Sequence, residues 1–249
     1  MLEIKNLSYK IIENEQEKVI LDNISFSCDH NETIVITGEN GSGKSTLLKI
    51  IMGILTPSSG QIFYNNVDIT NYTIDEKAKL KFAYSFQTPV CFKGITVKKL
   101  LTLASENKKT VGDYCDILSK LGLCARKYLD REVNSKLSGG EQKRIDIASV
   151  LIRNANVNLF DEPEAGIDIW SFDSLVNLFK TNSANIIVSH QKKLIEKADK
   201  ILLLSNGKIV KFDKTSKVLP LLNNTKSCKK LLEVEWNKLR LNFYKKLQT

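Results

Sequence analysis

Apolar and polar positions along the chain form short runs that predict a mixture of strands and helices. LEIKNLSY (2–9) and VILDNISFS (19–27) alternate apolar with polar residues, as half-buried strands do. ETIVITG (32–38) is a short apolar strand that runs into a glycine-rich turn, and the helical pattern LLKIIMGIL (47–55) follows it. SSGQIFYNN (58–66) predicts a turn that leads into another strand. The first part of the chain is therefore predicted to alternate strands with helices.

The middle of the chain changes to a helical pattern. VKKLLTLASE (97–106) and DYCDILSKLGL (113–123) have apolar residues at helical spacing. We therefore predict a helical insertion at residues 88–136 rather than a second independent domain. This insertion divides the predicted core into residues 1–87 and 137–215.

Strand character returns after the insertion. NVNLF (156–160) and NIIVSH (185–190) are predicted strands, and SFDSLVNLFK (171–180) between them is a predicted helix. The apolar face of that helix consists of Phe172, Leu175, Val176 and Phe179. ILLLSNGKIVKF (201–212) predicts a hairpin, because its central Asn-Gly pair supplies the positive φ angles of a type I′ turn. Alternating strands and helices predict an α/β fold with a largely parallel core sheet.

Composition limits the class of protein. Of the 249 residues, 42% are hydrophobic and 26% charged, which is typical of globular proteins. No apolar run reaches the roughly 18 residues needed to cross a membrane. The first ten residues, MLEIKNLSYK, lack the basic and apolar regions of a secretory signal. We therefore expect a cytoplasmic protein with no membrane insertion.

Net charge and cysteine spacing indicate which partners and which cysteine chemistry to expect. The net charge is +9, yet the basic residues are dispersed, so we expect no direct nucleic-acid partner. The five cysteines show no C-x-x-C spacing, which favours free thiols over disulfides or a zinc site.

A phosphate-binding loop is predicted at GENGSGKS, because these residues match G-x-x-x-x-G-K-[ST] between a strand and a helix. Its glycines let successive backbone N–H groups point at phosphate oxygens, and the helix dipole adds to this attraction. Lys44 is predicted to reach the β- and γ-phosphates, and the Ser45 hydroxyl to ligate Mg²⁺. The predicted ATP-binding residues are Gly38, Glu39, Asn40, Gly41, Ser42, Gly43, Lys44, Ser45 and Thr46.

Two acids follow a buried strand in VNLFDEPE (157–164). A carboxylate at such a strand end is costly unless it meets a cation or hydrogen-bond donors. Asp161 is therefore predicted to hold Mg²⁺ through the water shell of the ion, and Glu162 to orient the attacking water and accept its proton.

Five segments, in this order, resemble the motif set of ATP-binding-cassette (ABC) ATPases: GENGSGKST, SFQTP, LSGGEQKR, VNLFDEPEAGID and IIVSH. The resemblance covers about residues 1–215. It implies a P-loop core with an antiparallel β subdomain and an inserted α-helical subdomain. It also implies hydrolysis of Mg²⁺-ATP between two cassettes arranged head to tail, so a second ABC ATPase subunit is an expected partner.

The same resemblance implies roles for individual residues. Gln87 resembles the glutamine that senses Mg²⁺ and water, His190 the histidine that contacts the γ-phosphate, and Asp168 the loop acid that crosses the dimer interface. The signature LSGG would contact the γ-phosphate held by the partner's loop, from a helix N-terminus that favours anions. The residues implied to contact the nucleotide in trans are Ser138, Gly139, Gly140 and Glu141. The implied catalytic residues are Glu162, His190, Gln87 and Lys44, and the metal-binding residues are Ser45, Gln87 and Asp161.

Three segments resemble SufC, the ATPase of the SUF iron–sulfur cluster assembly system: FQTPVCFKG, REVNSKLSGGEQKRIDI and DEPEAGIDI. This resemblance implies a soluble SufB/SufD-like scaffold as the driven partner. The short segment GILTPSSGQIFY and Pro163 after Glu162 resemble transport cassettes instead, so the cytosolic ATPase of a membrane importer is the alternative. A switch that dimerises on a nucleic-acid or ribosomal partner is a third hypothesis. The presence of a single cassette and the lack of a dense basic insertion in the sequence argue against it.

Two further features have alternative interpretations. Tyr9 is predicted to pack the first strand, since Ile11 lies nearer the place where the family stacks adenine on an aromatic residue. The tail at 216–249 has apolar residues at helical spacing with flanking lysines, which favours a helix that caps the domain over one that binds a partner or an anionic surface. The apolar tail positions are Leu232, Trp236, Leu239, Phe243 and Leu247.

Overall fold

The computed structural model of the chain describes residues 1–134, 136–167, 175–179 and 182–223. Two sheets and helices on both faces of the larger sheet make up this part. The strands are β1 (Leu2–Glu13), β2 (Gln16–Cys28), β3 (Thr33–Gly38), β4 (Ser59–Tyr64), β5 (Val67–Asp68), β6 (Phe82–Ser85), β7 (Val157–Asp161), β8 (Ala184–Val188), β9 (Lys200–Ser205) and β10 (Lys208–Lys214). The helices are α1 (Lys44–Met52), α2 (Ile74–Lys79), α3 (Val97–Ala104), α4 (Val111–Lys120), α5 (Ala125–Tyr128), α6 (Gly139–Ile152), α7 (Lys192–Lys197) and α8 (Thr215–Asn223).

The smaller sheet is antiparallel, with the strand order β2-β1-β4-β5. β1 and β2 form a hairpin around Asn14 and Glu15, whose φ angles are 51° and 62°. Positive φ at both positions is typical of a two-residue turn, so no crossover helix separates these strands. The expected antiparallel subdomain is confirmed, and so are the two successive strands predicted at residues 2–9 and 19–27.

The larger sheet has the order β10-β9-β3-β8-β7-β6. Its strands are parallel except β10, which pairs with β9 in an antiparallel hairpin whose turn residues Asn206 and Gly207 have φ of 46° and 73°. The predicted parallel core sheet and the predicted hairpin are both confirmed. Because parallel strands end at the same edge, the carboxyl ends of β3, β7 and β8 lie next to one another.

The two faces of this sheet carry two apolar clusters. Ile34, Ile36 and Leu159 pack with α1 and the smaller sheet, whereas Val35 and Phe160 pack with α6 and the helical insertion. Successive strand residues point to opposite faces, so these short apolar runs are buried on both sides.

Helices α3, α4 and α5 lie within the predicted insertion, and the side chains of Thr96 and Thr110 cap α3 and α4. Within the described ranges, no helix has the length and apolarity needed to cross a membrane.

Two of the predicted helices lie partly outside the described residues. Residues 175–178 are helical, as predicted for 171–180, and Leu175, Val176 and Phe179 are buried. Phe172 and the apolar tail positions from Leu232 onward lie outside the described residues.

Candidate active site

The predicted phosphate loop lies where β3 ends and α1 begins. Gly43 is the N-cap of α1, with φ of 99°, and within the described residues no side chain caps this helix end. The first N–H groups of α1 are therefore available to an anion, which the helix dipole also attracts. A Cβ atom on Gly38 would lie 1.8 Å from the carbonyl oxygen of Leu204 in β9, so packing within the chain also requires glycine here.

The ammonium group of Lys44 is held inside its own loop. It donates hydrogen bonds to the carbonyl oxygens of Gly38 at 2.9 Å and Glu39 at 2.7 Å. Burial lowers the pKa of Lys44, while the carboxylates of Glu162, Asp161 and Glu39 act in the opposite direction. The charge therefore lies at the mouth of the loop, close to three acids.

Asp161 ends β7 with a side chain that is almost fully buried. One carboxylate oxygen, Oδ1, accepts a hydrogen bond from the Ser45 hydroxyl at 2.9 Å, and Oδ2 accepts one from the Tyr84 hydroxyl at 3.0 Å. Burial raises the pKa of Asp161, and these two hydrogen bonds oppose that rise. The structure thus brings together two of the three residues that were predicted to hold the metal, Ser45 and Asp161, from distant parts of the sequence.

The Ser45–Asp161 pair fits Mg²⁺. Its donors are hydroxyl and carboxylate oxygens, and two adjacent ligands of an octahedral ion bound at its usual oxygen distance lie about 2.9 Å apart. Within the described part of the chain, no group of three or more His, Cys, Asp or Glu side chains could hold a metal ion. Water and phosphate oxygens would therefore complete the coordination, as Mg²⁺ in nucleotide sites commonly requires.

Glu162 adopts a backbone conformation that is uncommon for a glutamate. Its φ is 44°, and its N–H donates to the carbonyl oxygen of Val188 at the end of β8, at 3.0 Å. Its carboxylate acts electrostatically on both Lys44 and His190. Such conformations concentrate at functional sites.

The sequence predicted His190 at the end of a strand. In the structure β8 ends at Val188, and His190 lies two residues beyond it. Its backbone N–H donates a hydrogen bond to Oε1 of Glu164 at 3.4 Å, and the hydroxyl of Ser189 donates to the same oxygen at 2.6 Å. Partial desolvation lowers the pKa of His190, and the Lys44 ammonium lowers it further. Its imidazole is therefore neutral at pH 7. Burial raises the pKa of Glu164, a residue that sequence analysis did not single out.

One predicted site residue is not brought into this arrangement, and another cannot be placed. Gln87 lies two residues beyond β6 with an exposed side chain, and within the described residues no hydrogen bond links it to Ser45 or Asp161. Asp168 lies outside the described residues.

The signature segment begins α6 with a reciprocal cap. Ser138 is the N-cap, its hydroxyl accepts from the N–H of Glu141 at 3.3 Å, and Glu141 Oε2 accepts from the N–H of Ser138 at 2.7 Å. The other carboxylate oxygen of Glu141 accepts from the Tyr128 hydroxyl, which is the main reason its pKa is lowered. Both side chains predicted to contact a nucleotide in trans therefore also stabilise their own helix.

The two signature glycines have different surroundings. A Cβ atom on Gly140 would lie 2.2 Å from the carbonyl oxygen of Gly166, whereas one on Gly139 would meet nothing within 4 Å. Close packing against the loop after β7 thus requires glycine at 140. Gly139 is the position that is open to another molecule.

Buried charges behind the site were missed by sequence analysis. The ammonium group of Lys143 is 1% exposed and donates to the carbonyl oxygens of Phe86 and Asp161. One turn later, Asp146 accepts from the Ser85 hydroxyl at 2.6 Å, and burial raises its pKa to about 6. α6 is thereby tied to the ends of β6 and β7. The available signal was a lysine and an aspartate on one face of a predicted helix, three residues apart.

Comparison with known proteins adds a family match and several relatives. The family model described as ABC transporter matches residues 21–165. An uncharacterized ABC transporter ATP-binding protein of Methanocaldococcus jannaschii is 36% identical over 77% of this chain and 82% of its own length. A putative hemin import ATP-binding protein, HrtA, of Staphylococcus haemolyticus is 30% identical, with coverage of 84% and 98%. The iron–sulfur cluster assembly protein SufC of Plasmodium falciparum is 34% identical over 84% of this chain and 65% of its own length.

The fold is also that of a solved protein. The dimeric structure of the bacterial ABC transporter cassette MJ0796 superposes with a TM-score of 0.78 at 23% identity, over 86% of this chain and 99% of that one. At this level of identity the likeness concerns the fold, which agrees with the two sheets and the helical insertion described above.

Proposed function

Because the chain belongs to the ABC transporter family, whose ATP-binding cassettes hydrolyse ATP, we propose that it hydrolyses Mg²⁺-ATP between two cassettes and thereby drives a SUF-type iron–sulfur assembly scaffold in the cytosol. The observation that carries this proposal is the convergence of Lys44, the Ser45–Asp161 pair and Glu162 at one edge of the core sheet. A cation for phosphate, an oxygen pair for the metal and a nearby carboxylate are the groups that phosphoryl transfer to water needs.

In this proposal each group has a defined task. The loop N–H groups and Lys44 hold the β- and γ-phosphates, and Ser45 and Asp161 hold Mg²⁺, which when bound neutralises part of the phosphate charge. Glu162 orients the attacking water and takes its proton. His190 donates a ring N–H to the γ-phosphate.

The second cassette supplies the remaining contact. Gly139 is open to solvent at the N-terminus of α6, so a phosphate held by a partner's loop can approach the helix N–H groups there. Ser138 and Glu141 keep this end of α6 capped and in place. The implied interface acid, Asp168, belongs to the same proposed interface.

A groove beside β6 is the surface that we propose for the driven partner. Phe86, Val90 and Phe92 are each more than a third exposed and line this groove with Leu100 of α3 and Val133. Exposed apolar residues grouped in this way are typical of protein-binding surfaces. An apolar segment of a SufB/SufD-like scaffold is the proposed occupant, because the segments FQTPVCFKG and REVNSKLSGGEQKRIDI, which line and flank the groove, resemble SufC.

The alternative partner is a membrane permease. The importer-like segment GILTPSSGQIFY and the name of the hemin-import relative favour it. A permease would use the same groove, so the two hypotheses differ in the partner and not in the nucleotide chemistry.

Affinity purification at native expression level, with and without detergent, tests the partner. A soluble scaffold recovered without detergent, together with iron and sulfide, supports the proposal. An integral-membrane partner recovered only in detergent supports the importer instead.

A variant pair tests the groove. Phe92→Asp should lose the co-purifying partner but keep nucleotide affinity, because Phe92 lies outside the phosphate loop. Val67→Asp changes an apolar residue of the smaller sheet that is more exposed than Phe92, 52% against 38%, and should keep both. Retention of the partner by Phe92→Asp would contradict docking in this groove.

A further inference from the structure

Both oxygens of the Asp161 carboxylate are held by hydroxyl groups from different elements. Ser45 at the start of α1 donates to Oδ1, and Tyr84 in β6 donates to Oδ2. A carboxylate with one donor keeps freedom about its terminal torsion, since this torsion is broad. Two donors on the two oxygens fix the plane of the group, and that plane decides where Oδ1 points.

The position of Tyr84 follows from the strand register. β6 pairs with β7 so that Tyr84 lies opposite Leu159, and Asp161 is two residues further along β7 on the same face. A side chain at position 84 must therefore reach diagonally to the neighbouring strand to touch the carboxylate. A tyrosine has this length, whereas a phenylalanine at the same position would stop one atom short.

The Tyr84 ring is itself fixed in place. The residue is 8% exposed, and its ring packs edge to face against Phe86, with centroids 4.7 Å apart. Its hydroxyl is thus carried on a rigid side chain, and it donates to Asp161. A phenylalanine ring would pack equally well at this strand position. The fold alone therefore does not require the hydroxyl group.

We propose that Tyr84 is a positioning residue for the divalent cation of this ATPase, acting by holding the Asp161 carboxylate in the orientation that presents Oδ1 to the metal beside Ser45. The inference rests on the proposed Mg²⁺-ATP site. It assigns a role to a strand residue outside every motif that the sequence showed.

Metal binding by Tyr84→Phe tests the inference directly. Mn²⁺ is titrated into protein loaded with a non-hydrolysable ATP analogue, and free Mn²⁺ is followed by electron paramagnetic resonance. Loss of one hydrogen bond to a charged group should weaken Mn²⁺ binding by about 10- to 150-fold. Affinity for the analogue in EDTA should stay within about twofold, since no metal is involved and the loop is unchanged.

Tyr114→Phe is the matched control. Tyr114 is also buried, and its hydroxyl donates to the carbonyl oxygen of Lys109 within the helical insertion. Thermal unfolding of both variants reports any general loss of stability, and only Tyr84→Phe should lose Mn²⁺ affinity. Wild-type Mn²⁺ affinity in Tyr84→Phe, or an equal loss in Tyr114→Phe, overturns the inference. Failure of the wild-type protein to bind Mn²⁺ with the nucleotide overturns the proposed function itself.

Discussion

At the end of β7 two neighbouring acids have different surroundings. Asp161 is buried with both oxygens hydrogen-bonded, whereas Glu162 is half-buried and its backbone turns to a positive φ. Holding a non-glycine residue in this conformation costs about 1 kcal/mol or more. The hydrogen bond from the Glu162 N–H to Val188 helps to offset that cost. The turn separates the acid that we propose for the metal from one that can face water.

Replacement of Glu162 by glutamine should separate binding from chemistry. We expect Glu162→Gln to keep ATP affinity and to lower turnover by a factor of about 10² to 10⁴, the usual contribution of a general base. Phosphate release and nucleotide titration measure the two quantities. Glu106→Gln, at an exposed glutamate of the helical insertion, should keep wild-type turnover. Turnover near the wild-type value in Glu162→Gln would remove this residue from the role of base.

The two signature glycines should respond differently to alanine. Gly140→Ala forces a Cβ atom against the Gly166 carbonyl and should lower stability by about 1–3 kcal/mol, because packed groups must shift. Gly139→Ala has space for its Cβ and should keep the melting temperature, yet lower turnover by obstructing the phosphate of the partner. Thermal unfolding and ATPase assays check both. Equal destabilisation by the two variants, or normal turnover in Gly139→Ala, would contradict this division.

Among the elements, α1 has an unusual partner at its far end. The fully buried ammonium group of Lys77 in α2 donates to the carbonyl oxygens of Ile50 and Ile51 in the last turn of α1. A cation at a helix C-terminus meets the negative end of the helix dipole. A phosphate bound at the loop would meet the positive end of the dipole of α1, while Lys77 meets its negative end.

This lysine makes stability depend on pH. Burial lowers the pKa of Lys77 from 10.5 to about 8, so between these values the unfolded chain binds the extra proton. The free energy of unfolding should therefore rise from pH 8 to pH 10.5, by up to about 3 kcal/mol from this group. Urea denaturation of the wild-type protein and of Lys77→Met at several pH values isolates the effect. Identical pH dependence of both proteins would contradict it.

The elements that could be predicted are those that neighbouring residues in the sequence determine. The phosphate loop, the acids after β7 and the turn at Asn206 follow from residue types within a few positions of one another. α2 was not predicted, because its six residues are too short for a periodic pattern, although the capping box between Thr73 and Glu76 was available as a signal.

At the scale of the whole molecule, the proposed site needs two chains. Lys44→Ala should be inactive because its own loop cannot hold phosphate. Gly139→Ala should be inactive because it cannot contact the phosphate that is held by the loop of its partner. Mixed together, they should recover about a quarter of wild-type turnover, because random pairing makes half of the dimers mixed and each mixed dimer has one complete site. ATPase assays of each variant and of the mixture check this. No recovery above the separate activities would contradict action in trans.

The features that could not be predicted depend on long-range contacts. Ser45 and Asp161 are 116 residues apart, and Tyr84 joins them only through the pairing of β6 with β7. The burial of Lys77 and Lys143 contradicts the usual exposure of lysine, and only the packed structure supplies their carbonyl partners. The contact of Gly140 with a second molecule stays a prediction, and the close approach of Gly140 to the Gly166 carbonyl of the same chain could not be read from the sequence.

The strand order also has a consequence for synthesis on the ribosome. β3, which carries the phosphate loop, lies between β8 and β9, and both are made long after it. A nascent chain that ends before β8 contains the complete loop sequence but neither strand that flanks β3. Its apolar TIVITG segment is then exposed during the slow, non-local part of folding, when unpaired strands are prone to aggregate. The nucleotide can therefore stabilise this fold only once synthesis has passed β9.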